Sequence, residues 1–397
     1  MKLAPLLSAA WLAVATMPGA AEVIERQQSV RPLPGGLDSV LMVNDNNPEL
    51  IKDDGILIST FPDGEAASVP VVLNGRFDLF SHHVYAGDAE GSPSSTLWLA
   101  VLAAPLGNAP VTLQLLSGST SLSQATGPGQ TQAPFLPLPS LMPETTDVVA
   151  SGPGSRVAGD LLAGRRAAEL TNRRWSLAPG APTQLLLLPI PVAGLDPLLN
   201  GRNLQLRFHS SGPVALATLA AHGENGKAPS EQHWLQLLKD QRMSSKEHQP
   251  TPRGSKGKII YSRVSGVQIG SSWRARITDP GSPVLAAPTA PISWPISSLE
   301  RGTLATNQVQ TAELKRFYPG TAWAAHGNYG VEYDLTLPLK NTGSAAVTLQ
   351  LSLDSPLKGN STTSLLRFRD DLNGPVMFRG PVPVSYTHLR AHETPLH

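Results

Sequence analysis

The pentapeptide Val-Thr-Leu-Gln-Leu occurs twice, at 111–115 and at 347–351, and its flanks are colinear. Thr96 opens TLWLAVLAAPLGNAPVTLQLLS, and Glu332 opens EYDLTLPLKNTGSAAVTLQLSL. Upstream, HHVY (His82–Tyr85) faces HGNY (His326–Tyr329), with one insertion in the polar loop GDAEGSPSS of the first copy. The pattern predicts a duplicated unit. Each copy reads strand, turn, strand. PLGNAP and NTGSAA are turn chemistry, because Asn and Gly tolerate positive φ and Pro fixes its own. VTLQL alternates apolar and polar, so one face of the strand is meant for burial. After the first copy, SLAPGAPTQLLLLPIP at 176–191 predicts a Pro179-Gly180 turn followed by a buried strand.

The units must be held together by packing alone, because the chain has no cysteine. The opening MKLAPLLSAAWLAVATMPGAA predicts a secretory signal peptide over 1–21: Lys2, an apolar run, then Gly19 and Ala21 before the cleavage point. No other segment approaches the about twenty apolar residues of a membrane span, so an exported chain, periplasmic or extracellular, is expected. The balance of 31 basic and 30 acidic residues leaves no basic stripe, which argues against nucleic acid as a partner.

Two stretches break the β pattern. SRVAGDLLAGRRAAEL predicts a short helix with Ser155 as N-cap, and SEQHWLQLLKDQR predicts a second one opened by Ser230. The polar run MSSKEHQPTPRGSKGK after it reads as a linker. The expected architecture is mainly β: two tandem antiparallel β-sandwich-like domains with one or two short helices. Residues 22–225 form the first, 226–257 the helix and linker, and 258–383 an incomplete second domain.

Several segments carry a family likeness. They are VRPLPGGLDSVLMVNDNNPELIKDDGILISTF from Val30, GRFDLFSHH, SGPGSRV, LLNGR, SSGPV, KIIYSRVSGVQIGSSW and HGNYGVEY. Together they resemble a cyanobacterial exported family catalogued as domain of unknown function 3370. The likeness spans about residue 30 to 380. It implies export and implies no activity.

Candidate sites are sparse. SGPGSRVAGD with the arginines after it is the sharpest: a glycine-rich turn at a helix start, with Ser155, Arg156, Arg165 and Arg166 as an anion-binding set. It lacks the Gly-Lys-Ser/Thr end of a phosphate loop. NDNNPELIKDD (Asn44–Asp54) is rich in oxygen ligands but lacks EF-hand order, so a polar loop is expected. His82, His83 and His326 have no metal-ligand spacing, and no metal or cofactor is expected. No Gly-x-Ser-x-Gly elbow occurs, and no catalytic residue stands out. The expected function is that of an exported non-catalytic structural or binding protein of the cell envelope. Its partner would be envelope polysaccharide or another envelope protein. The alternative is a carbohydrate-active or ester-cleaving hydrolase, which needs a pocket with converging titratable groups.

The last segment stands apart. VSYTHLRAHET, Val384–Thr394, reads codon by codon as a transposase sequencing adapter, so 384–397 is expected to be a non-native tail. The second unit is then expected to lack its closing strands.

Overall fold

The structure is a computed structural model and describes residues 23–62, 68–87, 96–124, 153–223, 227–257, 259–260, 262–325, 327–359, 362–369 and 382–385. The expected signal peptide and residues 386–397 of the expected tail lie outside them. The fold is mainly β with two helices, α1 (Pro153–Leu162) and α2 (Glu231–Lys239). Ten strands make one large sheet: β1 (Leu41–Leu50), β2 (Gly55–Ser59), β3 (Leu73–Ala86), β4 (Thr96–Pro105), β5 (Val111–Leu122), β6 (Arg174–Leu177), β7 (Thr183–Pro191), β8 (Leu199–His222), β9 (Val264–Ile269) and β10 (Leu314–Phe317). The main path runs β7-β4-β8-β3-β1-β9-β10.

β8 organises everything around it. Its first half lies between β3 and β5, and its second half between β4 and β2. The change of neighbours falls at Ser210–Val214, where the register with β3 slips around Gly212-Pro213. Proline cannot donate to a ladder and glycine permits the bend, so the strand crosses there from one layer to the other. Consecutive strands β4 and β5 therefore end up on different halves of β8. Leu204, Leu206, Phe208, Val214 and Leu216 of β8 are buried between them, with Leu113, Trp175 and Leu188. The Pro179-Gly180 turn and the buried strand after it form as expected, with Gly180 at φ 88.

Pairing crosses the expected division at 226–257. β9 pairs antiparallel with β1, from Val264↔Asn46 to Ile269↔Leu41. Val23–Gln27 pairs with Leu365–Arg369, and Gly36–Leu37 with Ser272–Arg276. β9 is buried along all but its last residue, so it needs strands on its flanks, and the edge of β1 offers one. The sheets are also mixed: β1 runs parallel to β3, and Ser272–Arg276 runs parallel to Glu332–Thr336.

One helix starts where the sequence reading put it and the other does not. In α2 the Ser230 hydroxyl caps the His233 N–H at 3.2 Å, as expected. Trp234 and Leu237 are buried against Leu102 and Leu219. α1 begins at Pro153, two residues before the expected cap. A proline's fixed φ suits a first helical turn, where its missing N–H costs nothing. Gly164, at φ 66, ends the helix by taking the left-handed conformation after it.

Candidate functional site

The expected anion set does not converge. Ser155 lies within the first turn of α1 and not at its cap. Arg156 turns back to the end of β5, donating to the Ser121 hydroxyl at 2.9 Å and to the carbonyls of Leu122 and Ser123. It is occupied in closing that strand. Arg165 is exposed and pairs with Asp160 at 3.0 Å. Arg166 keeps a guanidinium Nε that is sealed from solvent and without a hydrogen-bond partner, as do Arg207 and Arg263 elsewhere in the fold.

The acidic stretch 44–54 is not a loop over its first half; it is β1, and each of its carboxylates is engaged within the protein, although Asn44 Oδ1 and Asp45 Oδ1 are buried without a hydrogen-bond partner. Asp45 accepts from His83 Nε2 at 2.8 Å and from the Thr218 hydroxyl, fully buried. Glu49 accepts the N–H groups of Glu247 and His248 at 2.7 and 3.1 Å. Asp53 takes the N–H and hydroxyl of Ser245, and Asp54 takes the N–H and Nδ1 of His222. That His222 hydrogen bond and charge hold the Asp54 carboxyl below its ordinary range against the opposing effect of burial. Thus the run after α2, read as a linker, is stitched down by the very carboxylates that looked free. Arg263 completes the stitching by donating to the carbonyls of Ser244 and Ser245.

His82 and His83 are neighbours on β3 and so point to opposite faces. His82 Nδ1 meets Asn203 Oδ1 at 2.5 Å, and burial with His83 close by pushes its pKa down to about 4. His326 lies outside the described residues. Among the described residues no group of three His, Asp or Glu side chains is placed to hold a metal. Ser81, His83 and Asp45 meet, but the Ser81 hydroxyl is 3.5 Å from the carboxylate and has no contact with the imidazole. All three are buried, and no substrate reaches them. This is a polar clasp joining β1, β3 and β8, not a nucleophile–base arrangement.

A groove on the surface is the better candidate. It is lined by Trp323 together with Pro250, Pro252, Ile260, Glu300 and Arg301. The wall is a tight turn: Ser255 N–H bonds the Pro252 carbonyl at 3.2 Å, and Gly254 takes φ 80. Positive φ at that third position is what glycine supplies in a type II turn. The turn carries Arg253 over the indole, 4.8 Å from the ring centre, with Glu300 3.9 Å from its Nε. Arg301 is fixed on the rim by the Gly257 carbonyl at 2.8 Å. Buried Ala322, bonded to the Arg263 carbonyl at 2.8 Å, anchors the tryptophan's strand-like segment. The groove is small, about 90 Å³, and pairs apolar lining with charges of both signs at Glu300 and Arg301. Sequence reading placed Pro250–Gly254 in a linker and did not single out Trp323. The Pro-x-Pro-x-Gly spacing was the available signal for a rigid turn.

Against known proteins, the family described as "Protein of unknown function (DUF3370)" matches residues 28–395. The match covers both the groove and the Asp45 clasp, and it runs through the stretch read as adapter. No curated protein and no solved structure matches the chain.

Proposed function

The chain belongs to the DUF3370 family, and from that premise we propose that it is an exported, non-catalytic binding protein of the cell envelope. The signal-like opening sequence supports export, and no helix among the described residues is long and apolar enough to cross a membrane. The observation that carries the binding reading is the groove lined by Trp323, whose indole carries the Arg253 guanidinium over its ring. An indole under a guanidinium offers one broad surface that contacts sugar C–H faces or peptide side chains, while Glu300 and Arg301 bond hydroxyls at the rim.

The ligand expected there is an extended envelope polysaccharide. Retention of the purified protein on envelope polysaccharide fractions and on a glycan array tests this. Wild type should be retained and Trp323→Ala should not. Arg253→Ala changes only an exposed turn residue and should weaken retention without altering the circular-dichroism spectrum. Equal retention of wild type and both variants, or no retention of wild type on any fraction, overturns the reading.

A further inference from the structure

A second and wider pocket is formed by the strand Ser29–Val30 and the loop 286–291. Its volume is about 470 Å³, within the about 300–1,000 Å³ of ligand sites. Its lining is built on fixed backbone. Ser29–Val30 pairs parallel with Ile292–Ser293, the Ser29 N–H bonding the Pro291 carbonyl at 3.0 Å and the Arg31 N–H the Ser293 carbonyl at 2.9 Å. In the loop, the Ala287 N–H bonds the Lys340 carbonyl at 2.9 Å, and Pro288 and Pro291 fix their own φ.

Two opposite charges face each other in this pocket. Asp279 is positioned by the Ala286 N–H, which bonds its Oδ2 at 2.8 Å, and by its own N–H on the Val284 carbonyl at 3.0 Å. Arg31 Nη1 reaches Asp279 Oδ1 at 3.4 Å. That contact is long for a charged pair, which closes to about 2.7–2.9 Å when tight. The two side chains are 34 and 31 % exposed. A guanidinium carries five donors and a carboxylate about four acceptor positions, so the pair keeps donors and acceptors side by side for a ligand.

The lining selects the kind of ligand. Arg31 and Asp279 are its charged side chains among the described residues, and they cancel. An ion therefore gains no net attraction and has to part the pair to enter. A hydroxyl both donates and accepts, so two hydroxyls on neighbouring carbons match the pair as it stands. Gln27, Ser29 and Thr289 add neutral groups that also do both. The apolar lining is alanine, proline and isoleucine, with no aromatic ring among the described residues, so nothing there stacks on the face of a sugar ring. We propose that this pocket binds a neutral polyhydroxylated ligand, a single sugar unit or an alditol, by its hydroxyl edge, with Arg31 donating to and Asp279 accepting from adjacent hydroxyls. The pocket shares no residue with the Trp323 groove and does not depend on that reading.

Saturation-transfer NMR and isothermal titration of the full chain with glucose, galactose, mannose and mannitol test it, with glucuronate and glycine as charged probes. At least one neutral probe should bind wild type saturably in the millimolar range, and both charged probes at least about tenfold more weakly. Arg31→Ala and Asp279→Asn should each weaken the neutral probe about tenfold, as for a lost hydrogen bond to a charged group. Thr289→Val, on an exposed loop position, should weaken it about threefold and reads the site even where either of the other variants fails to fold. Arg253→Ala alters the other groove and should leave this binding unchanged. No saturable binding of any neutral probe, tighter binding of glucuronate or glycine, or neutral binding that survives both Arg31→Ala and Asp279→Asn overturns the proposal. Binding lost in Arg253→Ala but kept in Arg31→Ala overturns it too, because the sugar then sits in the groove.

Discussion

The two copies of VTLQL meet opposite fates. In the first, Val111, Leu113 and Leu115 are 5, 0 and 2 % exposed; in the second, Val347, Leu349 and Leu351 are 53, 39 and 67 % exposed. The first is the start of β5, with Leu113 opposite Trp175 of β6 on one side and opposite Ser210 of β8 on the other. The second takes no strand pairing among the described residues. The strands before them diverge as well. β4 runs ten residues between β7 and β8, whereas Glu332–Thr336 is five residues long and lies beside Ser272–Arg276. An alternating pattern makes a segment fit to be one face of a sheet; it does not supply the neighbours. β8 and β6 supply them once only, so an identical sequence is core in one place and surface in the other.

The sharpest way to break the comparison is a matched pair of substitutions. Leu113→Ala empties a site buried on all sides and should cost about 2–5 kcal/mol. Leu349→Ala should change stability by no more than about 0.5 kcal/mol, as for an exposed side chain. Urea unfolding followed by tryptophan fluorescence reads both. Comparable losses would mean that the second copy packs as the first does.

The next effect separates the two regions by pH. The large sheet carries His82, whose pKa of about 4 in the fold lies below the ordinary 6.5. The unfolded chain therefore takes up this proton before the folded protein does. Stability from this group is complete above pH 6.5 and declines as pH falls towards 4. Asp54, held low by His222, adds a loss in the same direction at still lower pH. The run Asn341–Leu353 holds no ionisable side chain and contributes nothing to the slope. His82→Gln should flatten the dependence between pH 6.5 and 4, measured as Tm across that range. An unchanged slope would show that His82 is already free to protonate in the folded state.

How much of this was legible turns on whether the cause was local. The mainly β class, the Ser230 cap, the Pro179-Gly180 turn and the buried strand after it follow from periodicity and turn chemistry within a few residues. The start of α1 slipped by two residues because Pro153 competes with Ser155 as a helix opener. Joining β1 to β9 depends on an open sheet edge more than two hundred residues away, which no local pattern encodes. The arginines show the same limit: residue type marked the region, but only the fold shows Arg156 turned back to the end of β5 and Arg165 paired with Asp160. The groove was missed because its turn sits in a polar stretch that composition alone assigns to a linker.

The smallest expected change in stability carries a separate consequence for solubility. Val347, Leu349 and Leu351 alternate along a stretch with no charge from Asn341 to Leu353, and it contains no proline. An exposed, neutral segment of β-forming residues is a template for pairing with another chain. Natural strands suppress this with a charge on the open face. Leu351→Lys places one there, at the most exposed of the three positions, where the leucine makes little of the fold. Its Tm should stay within about 2 °C of wild type, since a change near 0.5 kcal/mol or less moves a chain of this size only slightly. Light scattering of a concentration series should nonetheless fall relative to wild type. If Tm drops by as much as in Leu113→Ala, residue 351 is packed and the two copies are equivalent after all. If Tm holds but scattering is unchanged, the segment is exposed yet shielded from pairing, and the template argument fails while the contrast in burial stands.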